Sequence, residues 1–137
     1  MSIISSVRAW LRECPLIDKH NRFNTGYLGN LSTEYSVSVA GVQHSCDITG
    51  MGIDAYNLVF QARLPYGVAL QENLSAAELF DELRRWIMAQ ERAHKYPALP
   101  GYECTRITTA NSGMITQAGA DTAVYQLQIK LIAEESN

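Results

Sequence analysis

Two stretches of alternating apolar and polar residues constrain the fold more than any other feature. In residues 124–132, Tyr125, Leu127, Ile129 and Leu131 alternate with Gln126, Gln128 and Lys130. In residues 56–64, Tyr56, Leu58, Phe60, Ala62 and Leu64 alternate with Asn57, Gln61 and Arg63. Successive side chains of a strand point to opposite faces, so each stretch predicts a strand with one apolar face that another part of the chain must cover. A shorter alternation of Tyr35, Val37 and Val39 against Ser36, Ser38 and Ala40 predicts a third strand, and residues 102–109 a fourth. Between the third strand and residue 56, the segment 41–53 carries Gly41, Gly50 and Gly52 and is expected as an extended loop or frayed strand ends, too long for a tight hairpin. Residues 21–30, polar with Gly26 and Gly29, predict a loop or irregular strand, and Asn111-Ser112-Gly113 a turn.

The cover comes from helices. Ile3, Ile4, Val7, Trp10 and Leu11 follow helical spacing, and Pro15 stops that helix at Cys14 by pushing the preceding residue out of the α region. Over residues 74–93, Ala76, Leu79, Phe80, Leu83, Trp86, Ile87 and Gln90 make one stripe, with Glu78, Asp81, Glu82, Arg84 and Arg85 on the other side. Ser75 with Glu78 reads as a capping box and Leu74 with Leu79 as a hydrophobic staple. Acids near the start, with Arg92, His94 and Lys95 near the end, suit the helix dipole. Pro97 and Pro100 are the expected stop. Trp10 and Trp86 fall on apolar stripes, as core residues do. The order of elements predicts one α+β domain over residues 1–137, a mostly antiparallel β-sheet packed by a long central helix and an N-terminal helix. At 137 residues, 47% hydrophobic and 18% charged, such a chain has enough apolar surface to offset chain entropy and is not disordered.

Partners and chemistry are narrowed by what is missing. A formal charge of −3 gives no basic footprint for a phosphate backbone, so no nucleic acid is expected. No apolar run approaches a bilayer span and residues 1–10 do not resemble a signal peptide, so no membrane is expected and the chain reads as cytosolic where it is made. Cys14, Cys46 and Cys104 have no CxxC spacing and read as reduced thiols. His20, His44 and His94 fall in no metal-ligand pattern, and the phosphate-binding and hydrolase motifs are absent. His44-Ser45-Cys46-Asp47 groups a base, a hydroxyl, a thiol and a carboxylate, but strand neighbours face opposite ways, so the run reads as a polar loop rather than a triad. Glu78, Asp81 and Glu82 read as a solvated helix face. The expectation is no enzyme, with no catalytic, cofactor-binding or metal residues and no cofactor. Strand faces rich in uncharged Ser, Gln and Asn suit subunit packing.

The order of local motifs is similar to a family of phage and prophage minor capsid or minor tail proteins. The resemblance rests on Cys14-Pro15-Leu16 after the first helix and on the strand entry Leu31-Ser32-Thr33-Glu34-Tyr35-Ser36-Val37. It includes Tyr56-Asn57-Leu58-Val59-Phe60-Gln61-Ala62-Arg63, the approach Gln71-Glu72-Asn73-Leu74, and the helix with Phe80, Leu83 and Trp86. Leu99-Pro100 and the closing Tyr125-Gln126-Leu127-Gln128-Ile129-Lys130-Leu131-Ile132 complete it. The His-x-x-x-Asp-Gly motif of the acetyltransferases, a label carried by some relatives, is missing: Asp47 follows His44 at another spacing.

The resemblance implies a structural subunit of the virion, made in the host bacterial cytoplasm and similar to tail terminator or head–tail joining proteins. The implied partners are copies of itself in a ring, six in the usual case, with the tail tube protein and the head–tail connector. Such a ring caps the tube and stops its growth. The alternatives are a protein-binding adaptor domain and a small enzyme using Cys46. Segments 41–52 and 111–122 are expected to project and meet neighbouring subunits, with His44, Ser45, Asp47, Asn111, Gln117 and Asp121 as the contact residues.

Overall fold

The computed structural model describes residues 3–15, 22–25, 34–65, 70–118 and 122–135. Helix α1 is Ile3–Leu11 and α2 is Leu70–Ala93; the strands are β1 Arg22–Thr25, β2 Glu34–Cys46, β3 Gly52–Pro65, β4 Tyr102–Ala118 and β5 Thr122–Glu135. Together they make an α+β fold with one mixed five-stranded sheet in the order β1-β2-β3-β5-β4. Only the β1–β2 pair is parallel; β2–β3, β3–β5 and β4–β5 are antiparallel.

The alternating stretches behave as their periodicity predicts. Leu58, Phe60 and Ala62 of β3 and Tyr125, Leu127, Ile129 and Leu131 of β5 are buried on one face of the sheet. Phe60 is the hub of an aromatic cluster, its ring centre 5.8 Å from Phe23, 5.9 Å from Tyr35 and 6.0 Å from Phe80, while Phe80 lies 5.7 Å from Tyr125. These separations fall within the range in which tilted and offset ring pairs attract. Both helices cover this face and meet through Trp10 and Trp86, ring centres 4.9 Å apart. The buried Trp10 indole donates from Nε1 to the Lys95 carbonyl at 3.0 Å, tying α1 to the chain after α2.

Several expectations are corrected. The long central helix is met only in part: α2 lies midway along the chain, but among the strands its backbone neighbours chiefly the edge strand β4. It also begins at Leu70, so Ser75 stands inside the helix and is no N-cap, and Leu74 with Leu79 is no staple across its start. Leu70, Gln71 and Glu72 are good helix formers that extend it backward past the local capping signal.

The end of α2 is set before either proline. His94 adopts a left-handed φ of 57°, and its N–H donates to Glu91 O while Lys95 N–H donates to Gln90 O. This is the Schellman pattern, with histidine where glycine is usual.

The segment 41–53 is not a loop but the outer half of a long hairpin, with Gly41 paired to Asn57 and Cys46 to Gly52. A register shift between Val39 and Gly41 absorbs the break in apolar alternation that made these residues look irregular. Asn111-Ser112-Gly113 is likewise no chain reversal: β4 runs through it with a register shift between Ala110 and Met114. Within the polar stretch 21–30 lies β1, whose Phe23 belongs to the core.

Candidate interaction surface

The β2–β3 hairpin carries the sequence-predicted residues His44, Ser45 and Asp47 at its far end. Its turn is built around Asp47. The Gly50 N–H donates to the Asp47 carbonyl at 3.1 Å and the Asp47 N–H to the Met51 carbonyl at 3.0 Å. Gly50 then takes φ 88°, the left-handed residue that closes a three-residue hairpin loop. The carboxylate locks the inside of the turn: Oδ1 accepts from the Thr49 hydroxyl at 2.6 Å, the Thr49 N–H at 2.8 Å and the Met51 N–H at 3.0 Å. These donors, the Thr49 hydroxyl first, hold the Asp47 carboxyl below its ordinary value of 3.8 although it is solvent-exposed.

His44 is paired in register with Asp54 of β3, and its Nδ1 meets Asp54 Oδ1 at 2.6 Å. The imidazole is 72% exposed and the carboxylate only 9%. A buried carboxylate therefore orients a surface ring, and Cys46 lies two positions along the same strand. Sequence reasoning missed Asp54, because only the strand register makes it the cross-strand partner of His44. Ser45 donates to the Ile53 carbonyl across the hairpin at 3.3 Å.

The other predicted contact residues lie elsewhere. Asn111 and Gln117 belong to β4, Gln117 pairing with Val124, and Asp121 lies outside the described residues. The sheet register puts Gln117 level with Arg63 and Glu34, whereas His44 is level with Asp54, Ala133 and Cys104. Gln117 and the His44 group thus lie at opposite ends of the sheet, while Asn111 follows Ala110, which is level with Gln128, Val59 and Ser38 near the middle, so these residues do not form one patch.

The more informative residues are apolar. Val39, Val42 and Ile48 are the exposed large hydrophobics among the described residues, and all three belong to the β2–β3 arm. β1 pairs only with Glu34–Val37, so among the described residues nothing pairs with the outer edge of β2 from Ser38 to Cys46. Between Tyr35 and Cys46 the chain has no Asp, Glu, Lys, Arg or Pro, the residues that natural edge strands use to repel a passing strand. That run of neutral residues was the available sequence signal for this surface.

The sheet face opposite the helices holds a shallow groove of about 300 Å³ crossing β2, β3, β5 and β4, lined by Asn57, Val59, Thr108, Gln128 and Lys130. Its lining mixes apolar and polar groups and carries one cation, Lys130, with no carboxylate, histidine or cysteine among the lining residues. Among the described residues no group of three or more His, Cys, Asp and Glu side chains is placed to hold a metal ion. No described helix is long and apolar enough to cross a membrane.

No protein-family model matches the chain, and no curated protein matches it.

Proposed function

We propose that the chain is a structural subunit of a tailed phage or prophage particle, a tail terminator or head–tail joining protein that forms a ring on the tail tube. The observation that carries an assembly role is the charge-free outer edge of β2, which nothing pairs among the described residues and which is flanked by the exposed Val39, Val42 and Ile48. Such an edge presents unsatisfied backbone donors and acceptors that another subunit's strand can pair. The phage setting rests on the motif resemblance along the sequence. In that setting the ring stops tube growth by occupying the last tube ring, and the virion is its final location.

The test is assembly. Phage lysates with residues 43–51 deleted are expected to contain tails of irregular length that fail to join heads, seen by electron microscopy. Tails of normal length joined to heads would sink the role assigned to the arm.

A second reading, an adaptor that binds an extended segment of another protein, draws on the same edge. The two separate on mass in solution: a ring-sized oligomer supports the subunit, whereas a monomer that captures a foreign strand supports the adaptor.

The remaining alternative, an enzyme using Cys46, predicts alkylation far faster than that of a free cysteine at neutral pH, because only the thiolate is nucleophilic. The expected outcome is ordinary reactivity at Cys46, which is exposed, and protection of Cys14 and Cys104, which are buried. Burial pushes the Cys104 thiol up to about 12, so it stays protonated. Mass spectrometry after timed iodoacetamide treatment reads all three.

A further inference from the structure

We infer that the outer edge of β2, which nothing pairs among the described residues beyond Val37, takes the outer edge of β4 from a second copy of this chain, and that this strand pairing is the ring contact. The inference rests on the subunit reading above and specifies its interface.

Three observations select this occupant. First, β4 ends the sheet on the other side, so among the described residues one copy offers two different unpaired edges, as a head-to-tail contact requires. Second, the register ties the edges to the same height: Val42 is level with Tyr56, Leu131 and Ile107, and Gln43 with Ala55, Ile132 and Arg106. The stretch Ser38–Cys46 of β2 therefore stands level with Tyr102–Ala110 of β4. A head-to-tail contact closes into a ring only if each copy follows the last by rotation without climbing along the axis. Edges at one height satisfy that condition when the strands run along the ring axis, whereas edges offset in height would build a helical filament.

Third, direction and charge agree. Three successive antiparallel pairings leave β4 antiparallel to β2, so the β4 of a rotated neighbour meets β2 in antiparallel orientation. Two copies of a chain with net charge −3 repel overall. Here they would meet through a β2 edge with no charged residue and a β4 stretch whose only charges are Glu103 and Arg106. β1 covers Glu34–Val37 and limits the contact to the outer half of the hairpin.

The level pairing sets Gln43 of one copy opposite Arg106 of the next, both exposed. Opposite charges placed directly across two strands attract and like charges repel, by roughly twofold to fivefold in equilibrium constant per contact. Gln43→Glu is expected to tighten self-association and Gln43→Lys to weaken it, measured by analytical ultracentrifugation across a concentration series. Adding Arg106→Glu should restore association to Gln43→Lys. Circular dichroism of each variant keeps a folding defect from passing as an interface effect. Equal effects of Glu and Lys at position 43, or no rescue by Arg106→Glu, would overturn the contact and would fit instead a two-fold pairing of β2 with itself.

A cross-link covers the case of weak association. Within one copy, positions 43 and 106 are three strand spacings apart, about 14 Å, too far for a disulfide. Gln43→Cys with Arg106→Cys, in a Cys46→Ser background and oxidised with diamide, should therefore give a ladder of linked copies ending at the ring number. A wholly monomeric product overturns the contact. A ladder from a protein whose deletion leaves phage tails normal would keep the contact and defeat the phage reading, so the two failures are distinct.

Discussion

Gly50 and His94 hold the same kind of left-handed backbone, with φ 88° and 57°, and substitutions at them are expected to act in opposite directions. Space is open around Gly50, so Gly50→Ala meets no clash and its cost is conformational alone, roughly 1–2 kcal/mol. His94→Gly relieves a similar strain at the Schellman position and is expected to stabilise by about 0.5–1 kcal/mol, after allowing for glycine's greater freedom when unfolded. Urea denaturation measures both, and two shifts of the same sign would contradict the assignment.

Asp47 makes a pH prediction. Its carboxyl is held below 3.8 by the turn it closes. A depressed acid contributes stability that is fully present above the unfolded value and is lost as pH falls through the folded one. Asp47→Asn should therefore be less stable than the parent at pH 7, with the difference shrinking as pH is lowered below 3.8. A difference that stays constant down to pH 2 would show that the ionised carboxylate is not what holds the turn.

Among the elements, α2 is fastened to the sheet by Phe80, which is 1% exposed and reaches both Phe60 and Tyr125. Phe80→Ala opens a cavity at that junction and is expected to cost about 3–5 kcal/mol in denaturant unfolding. A cost below 1 kcal/mol would mean that α2 is held mainly by other residues.

These elements also show what the sequence made legible. β3, β5 and both helices were readable because apolar residues recur at the period of the structure that buries them. The outer half of β2 was not readable, since Val39 through Cys46 lie beyond the helices' cover and a strand exposed on both faces need not alternate. The run through Asn111-Ser112-Gly113 was misleading for another reason: turn-forming residues accommodate a register shift as readily as a chain reversal. The helix start was missed because a capping box is a local signal that a good helix-forming segment before it can override. Of the candidate surface, the sequence grouped His44, Ser45 and Asp47 in one exposed polar segment. It could not supply their partners, which depend on register.

For the whole molecule, four of the sheet's five strands form two hairpins, β2–β3 and β4–β5, sewn along one seam where β3 pairs with β5, with β1 added on β2. Each hairpin joins neighbours in the chain, but the seam joins Ile53–Pro65 to Thr122–Glu134, with α2 and all of β4 in between. Closing so long a loop carries an entropy cost that seam contacts offset only after it closes, so the seam forms late in time and the hairpins early. Stopped-flow measurements should then find that Ile129→Val, at the seam beside Leu58, mainly accelerates unfolding. Val37→Ala, inside the first hairpin opposite Phe60, should mainly slow folding. During synthesis the first hairpin emerges well before the strand that completes it, so β3 waits with its inner edge unpaired by β5. The nascent chain thus passes through an interval in which the β3 side of that hairpin can capture a neighbour's strand, and the arrival of β5 ends that interval.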